Sequence, residues 1–594
     1  MRTPKFEAET SPWMTLGLAL AGAGVALGWS RFVSDEYILP EVVLLSAGLL
    51  IAASSAAFSR RRGELSFSTA LDRPLAAVLI AWTLAAAFSL DPRYSLLGTY
   101  GGYTYGLWQV ASCAALYQLT ACCADETARR RLLKAALSAA MLVSAYAVLQ
   151  AAGLDPLIPA AELPSRRAIS TLGSPAFLGA YLALWLPAAL HWALSEPEEK
   201  NFGRCALALI AAGLLASVSR GAWLAAALGA ALYLGLTGRL RAPRWSRGRW
   251  TGAALAGATV AAWVFHALAR RQALGLGLEK QRFAIWGVAG DLFLKHPWLG
   301  VGPDVFEQGL RQARTENFIR VLGQGLRLGH AHNDFLQVLA TTGLIGLAAY
   351  LWLIAALASA ARRALAEERD RPRNAALAAG LAGLFFNLQF NIVSLPAYAS
   401  AALAAGLLLR PRAGAAAGVL DRRLKRAAVL TFAALSTIYS LRLAAADREF
   451  KLGREAANRA ESLSYFQGAI ALNPCELGYH LAYVNVLADM SGKTVEAENL
   501  DADRIAASGA TAVACHPNDA VAHYIGGVGA LLQALLGRRE HLADAEAQLD
   551  AALRLDPYRL DVLDWRRQAA SLRGDKERER ALLDRIAHVK SLSP

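Results

Sequence analysis

Apolar stretches long enough to cross a bilayer recur along the first three quarters of the chain, and this constrains the fold more than any other feature. About thirteen such stretches of roughly 17–25 residues are present, the length that covers about 30 Å of hydrocarbon as helix. They begin with Trp13 to Trp29 and Leu39 to Phe58, and continue through Pro74 to Leu90, Tyr103 to Cys122, Ala135 to Ala152 and Pro175 to Leu194. Cys205 to Val218, Gly221 to Leu236 and Thr251 to Leu268 follow. After a polar interval come Phe335 to Ser359, Ala375 to Val393, Ala397 to Leu409 and Ala427 to Ala445. With 55% hydrophobic and only 18% charged residues in 594, disordered, collagen-like and disulfide-scaffold chains are excluded. No small-residue cleavage site follows the first stretch, so it reads as a span. The expected fold is all-α: a polytopic membrane bundle of about 12–13 spans over residues 1–445, then a helical-repeat domain over 446–594.

The net charge of +14 is a matter of topology. Arg60-Arg61-Arg62, Arg129-Arg130-Arg131, the run from Arg239 to Arg249, Arg362-Arg363 and Arg422-Arg423 fall on one side if the spans alternate. That side is cytoplasmic by the positive-inside rule, and its short segments carry roughly +15. The N-terminus then lies inside, and the loop 270–333 and the C-terminal domain lie outside. The tail is slightly acidic, about −4, which excludes a basic nucleic-acid face.

In the tail, three turns recur: Leu472-Asn473-Pro474, Cys515-His516-Pro517 and Leu555-Asp556-Pro557. Each follows an Ala-rich amphipathic stretch, and proline is tolerated where a new helix opens. The spacing looks like tetratricopeptide repeats stretched beyond their usual period of about 34. Such a solenoid binds a partner, here a protein or the acceptor, rather than doing chemistry. Cys475 and Cys515 read as buried free thiols, although an exported compartment permits a disulfide. Cys113, Cys122, Cys123 and Cys205 read as small apolar residues in membrane helices. His191 and His266 read as packed or interfacial, and the tail histidines, His480, His516 and His523 among them, as surface or core of the repeats. No Cys/His spacing suggests a metal.

The densest polar string is His330-Ala331-His332-Asn333-Asp334, followed after Asn333 by nine residues and Gly343-Leu344-Ile345-Gly346. Upstream lie Arg282-Phe283-Ala284-Ile285-Trp286 and His296-Pro297-Trp298-Leu299-Gly300-Val301-Gly302. Ser219-Arg220-Gly221-Ala222-Trp223-Leu224 and Arg167 to Pro175 complete the set. In this order and on one predicted side, these elements resemble the O-antigen ligase/polymerase superfamily of bacterial integral-membrane glycosyltransferases. Ser174 departs from the pattern, standing where that family usually has Asn.

The resemblance implies transfer of a glycan from a polyprenyl (undecaprenyl) diphosphate to an acceptor hydroxyl on the outer face of the inner membrane, without cofactor or metal. Three acceptors are open: lipid A-core in lipopolysaccharide biosynthesis, the end of another glycan chain, or a protein hydroxyl. A lipid-glycan flippase is the competing reading from another class. By resemblance, Arg220 and Arg282 grip the diphosphate, as arginine's charged fork suits phosphate oxygens. Arg167 or its neighbour Arg166 is a third cation. His332 is the general base of an inverting displacement, a role that imidazole suits near neutral pH. Asn333 orients the imidazole or lines the site. Trp286 reads first as an interface or core aromatic and is kept as a substrate-binding candidate through glycan stacking. Gly343 and Gly346 are expected to allow close helix packing that fixes the base.

Overall fold

The computed structural model describes residues 10–58, 68–157, 167–239, 277–324, 328–368, 370–392, 394–411, 419–488 and 494–592. Arg166, His266, the predicted span from Thr251 to Leu268 and the arginines at 60–62 and 241–249 lie outside them. The described residues form an all-α protein. Five of its helices are long and apolar enough to cross a membrane: Ile38–Phe58, Glu126–Ala151, Pro175–Ser195, Asp334–Ala364 and Leu424–Glu455. Arg220–Leu236 and Leu395–Leu408 are apolar but shorter. The first predicted span is interrupted: the helix Pro12–Gly22 gives way to a 3-10 turn, Gly24–Leu27. Pro396 sits in the first turn of Leu395–Leu408, where its missing N–H costs nothing.

Basic helix ends gather at one end of the bundle. Glu126 pairs with both Arg373 and Arg410, Arg410 reaches Asp370 at 2.6 Å, and Arg130 reaches Glu196 at 3.0 Å. Arg239 donates to Ser195 Oγ at 3.0 Å at the same end. Arg129, only 3% exposed, is inside this cluster. Its guanidinium donates to the carbonyls of Ala121, Ala124, Gly406, Leu407 and Leu409. These are terminal carbonyls of Leu107–Cys123 and Leu395–Leu408, which have no intrahelical donor. One charged fork therefore ties two helix C-termini, where cations are also favoured by the helix dipole.

The opposite end carries the tail, and the tail is not a free appendage. The last long helix, Val419–Glu455, runs out of the bundle into it. Asp447 on that helix, fully buried, accepts from the Tyr100 hydroxyl and from the Asp35 N–H at 2.8 Å. Tail residues Phe466, Tyr479, Tyr483 and Ile505 share one hydrophobic core with Ile285, Val301, Phe306 and Leu310 of the loop region. Arg314 and Asp556 form a buried ion pair across the same junction.

His516, expected within the repeats, is instead wholly buried against the membrane part. Its ring stacks on Tyr94 at 4.3 Å and its Nδ1 meets the Asp91 carboxylate, while Nε2 meets the Cys475 carbonyl at 2.6 Å. Burial alone favours the neutral ring, but the bond to Asp91 and its charge outweigh it and raise the imidazole above its ordinary value.

Two tail expectations are corrected. The helices after the three prolines begin at Leu477, Ala520 and Leu560, each three residues past the proline, so proline shapes the turn rather than opening the helix. Two of the three turns nonetheless repeat in detail. His480 Nε2 meets the Pro474 carbonyl at 2.7 Å, and His523 Nε2 meets the Pro517 carbonyl at 2.8 Å. Cys475 and Cys515 are joined as a disulfide with Cα atoms 5.5 Å apart, not left as thiols. The sequence places one beside each of two successive turns, and helix stacking brings those turns together. Non-reducing peptide mapping of the purified protein is expected to yield a linked Cys475–Cys515 peptide, and reductant to lower the unfolding temperature of the tail by the equivalent of about 2–4 kcal/mol. Two free thiols under oxidising purification would contradict this pairing.

Candidate active site

The His332 region is built on a broken helix. Asp334–Ala364 is interrupted at Gly343, whose φ of +63° is open to glycine at little cost. The break frees backbone groups at membrane depth, where each needs a partner. The turn and loop from Pro297 to Gly302 supply them. Val301 N–H donates to Ala340 O at 3.0 Å and Gly302 N–H to Thr341 O at 2.9 Å. In return, Leu344 N–H reaches Pro297 O at 2.9 Å and Ile345 N–H reaches Trp298 O at 3.3 Å. The approach is so close that a Cβ at Gly343 would lie 2.3 Å from the Trp298 carbonyl carbon, and one at Gly300 would lie 2.3 Å from that of Thr341. Gly343 therefore serves a close backbone approach, as the motif suggested, but its partner is the turn and loop from Pro297 to Gly302 rather than a second helix.

That docking fixes Arg282 relative to His332. Arg282 is on the helix Gly277–Lys295, which leads directly into Pro297 to Gly302. Trp286 on the same helix donates its indole N–H to Ala331 O at 3.0 Å and packs edge-on against Phe283. Its polar tip is used to hold the residue beside His332. His332 itself has φ +54°, a left-handed conformation unusual for a side-chain-bearing residue and often found at functional sites. Asn333 caps the following helix by accepting from Leu336 N–H at 3.0 Å, and its Nδ2 donates to Gln389 O at 3.1 Å. Asp334, buried, accepts from the Tyr350 and Tyr398 hydroxyls, and its N–H donates to Leu388 O at 3.0 Å.

Arg167 and Arg220 form a second group. Arg220 opens the helix Arg220–Leu236, and Arg167 Nε donates to Ser217 O at 3.2 Å in the turn just before it. Both arginines are exposed. Partial burial and then the charge of Arg220 lower the pKa of Arg167, which places the two cations within electrostatic reach. Val218 between them is left-handed too, with φ +47°. Ser174 caps Pro175–Ser195 by accepting from Ala176 N–H at 3.3 Å, the task that Asn performs equally well there.

The two groups meet at the turn Asn387 to Asn391. Asp334 and Asn333, the two residues that follow His332, reach it through Leu388 and Gln389, and Gly221, next to Arg220, abuts Asn391 and Asn387. Sequence reasoning passed over this turn. The signal was available: three amides within five residues, inside a stretch assigned to a span.

Burial, and then the Arg282 charge, lower the His332 pKa below its ordinary value, while burial and His332 push His330 down to about 4. A depressed pKa keeps the imidazole neutral, the form that accepts a proton, at and below neutral pH. In NMR of ring-labelled protein, His332 is expected to titrate below about 6.5. Arg282→Gln removes the repelling charge, so the midpoint rises and any acidic limb of kcat/KM moves to higher pH. An unmoved midpoint would separate the two residues. Gly343→Ala is expected to cost about 2 kcal/mol or more in thermal unfolding, through strain at positive φ and collision with Trp298.

Residues 205–351 match the family described as O-Antigen ligase. The match runs from within the helix Lys200–Ser217 to within Asp334–Ala364, and so contains Arg220, Arg282, Trp286, His332 and Asn333. Arg167 and the tail lie beyond it. No curated protein matches the chain. The arrangement of apolar helices and the matched segment together identify a multi-pass membrane protein that carries an O-antigen ligase domain.

Proposed function

We propose that the protein transfers a glycan from a polyprenyl diphosphate to an acceptor hydroxyl, lipid A-core or a similar surface glycolipid, at the extracytoplasmic face. The observation that carries this reading is that Gly221, next to Arg220, and Asn333, next to His332, both abut the Asn387 to Asn391 turn, with the charge of Arg220 felt at Arg167 and that of Arg282 at His332. His332 takes the proton of the acceptor hydroxyl while its oxygen attacks the anomeric carbon. The bond from that carbon to the diphosphate breaks, and the electron pair leaves with the diphosphate. Arg220 and Arg282, with Arg167 beside them, stabilise the growing charge, so the products are an inverted glycoside and polyprenyl diphosphate. These roles need no metal.

Two independent features support an outward-facing site. The arginine-rich helix ends gather at the opposite end, which the positive-inside rule puts in the cytoplasm. The disulfide joins tail turns on the site's side, and disulfides persist in oxidising compartments. The expected 12–13 spans count shorter apolar helices, such as Arg220–Leu236 and Leu395–Leu408, beside the five long ones. The repeated proline–histidine bonds support a TPR-like tail that presents the acceptor at a fixed height above the site.

The test uses full-length protein in nanodiscs with a polyprenyl diphosphate-linked glycan and a lipid A-core acceptor. His332→Ala and Arg220→Ala are each expected to lower kcat about 10²-fold or more with unfolding temperature unchanged, and strong chelators to leave wild-type turnover intact. Undiminished transfer by either variant sinks the assignment of that residue. Passage of lipid-linked glycan across vesicles with no glycosidic bond formed makes the protein a flippase instead.

A further inference from the structure

We propose that Asn387 and Asn391, together with the N-terminus of the helix Arg220–Leu236, form an uncharged cradle for the donor's diphosphate, which makes both asparagines substrate-binding residues. The inference rests on the glycosyl-transfer reading for the identity of its ligand, and on separate observations for its location.

The helix start is open. Ser219 stands at its N-cap in extended conformation, yet its hydroxyl makes no capping bond. Trp223 N–H is the donor that reaches back to Ser219 O, so the N–H groups of the preceding first turn point out of the helix, where its dipole concentrates about half a positive charge. Gly221 lies in that turn and lets neighbours come close. A Cβ there would sit 2.6 Å from Asn391 Nδ2 and 3.8 Å from Asn387 Nδ2. Both amide nitrogens therefore bear on the first turn.

Asn387 supplies the second observation. It is completely buried, and its Oδ1 accepts from Asn391 Nδ2 at 3.3 Å. Its Nδ2 is buried without any hydrogen-bond partner among the described residues. A buried amide donor is costly to leave unpaired, and such groups in native proteins call for a missing acceptor. Arg220 adds a cation from the same turn, and Arg167 lies within reach of its charge. Asp334, a buried carboxylate whose own N–H bonds Leu388 O in this turn, is occupied by Tyr350 and Tyr398. An unpaired buried amide donor, an open helix start and the Arg220 cation suit a group rich in acceptor oxygens and negative charge, and a diphosphate is such a group. The arginines supply attraction at range. The amides and the helix start supply direction, because their hydrogens are fixed by the fold.

The test measures binding, not turnover. Full-length protein in nanodiscs is titrated with a short-chain polyprenyl diphosphate, with the polyprenol of the same length, and with inorganic pyrophosphate as competitor. Asn387→Ala and Asn391→Ala are expected to weaken diphosphate binding about tenfold, and Asn387→Asp more, since a carboxylate replaces a donor; polyprenol binding stays unchanged. Pyrophosphate competes in the wild type and loses that ability in the variants, which assigns the contact to phosphate rather than to the lipid chain. Asn391 is only half-buried, so its variant carries the same prediction where changes at Asn387 prevent folding. Wild-type diphosphate affinity in the folded variants, or an equal loss for polyprenol, overturns the cradle. Asparagine-dependent diphosphate binding without glycosyl transfer would keep the cradle and refute the proposed reaction. Transfer that is indifferent to both asparagines would do the reverse.

Discussion

Backbone groups cannot be left unpaired in hydrocarbon, and the architecture around His332 depends on how that demand is met at Gly343. A continuous helix would satisfy every N–H and C=O within itself and would hold nothing else. Interrupting it exposes carbonyls at Ala340 and Thr341 and N–H groups at Leu344 and Ile345, and Pro297 to Gly302 pair with all four. Through that pairing the helix bearing Arg282 is locked to the one headed by His332. The glycines at 300 and 343 are required because two backbones approach too closely for any Cβ.

A similar economy appears at the other end of the bundle. Arg129 is charged and buried, which is costly unless every donor is used. Its guanidinium meets five carbonyls at two helix ends, so the charge sits where the helix termini already present partial negative charge.

Much of this was legible in the sequence, for reasons that differ between its parts. Hydrophobic stretches of spanning length report helices directly, so the all-α class and helices such as Pro175–Ser195 and Arg220–Leu236 follow from composition along the chain. The matched domain was legible because its motif residues are close in sequence to the turns they build, as with His332, Asn333 and the glycine at 343. Contacts between distant segments were not. Nothing local to Asn387 says that Arg220 lies opposite, nothing in the Cys515-His516-Pro517 turn says that His516 will stack on Tyr94, and the Cys475–Cys515 bond depends on how helices stack. A glycine in an apolar helix also reads alike whether it admits a neighbouring helix or breaks its own.

The tail's attachment bears on how the chain is made. Asp447 is separated by 412 residues from Asp35 and by 347 from Tyr100, yet it closes a buried polar knot with both. During synthesis the first part of the protein waits, its tyrosine and backbone donor unanswered, until the helix Val419–Glu455 arrives. A ribosome product truncated before that helix lacks the carboxylate and leaves those groups orphaned, an unfinished surface of the kind that chaperones and proteases detect. The knot therefore works as a completeness check: only a chain translated to its last crossing is fit to be kept.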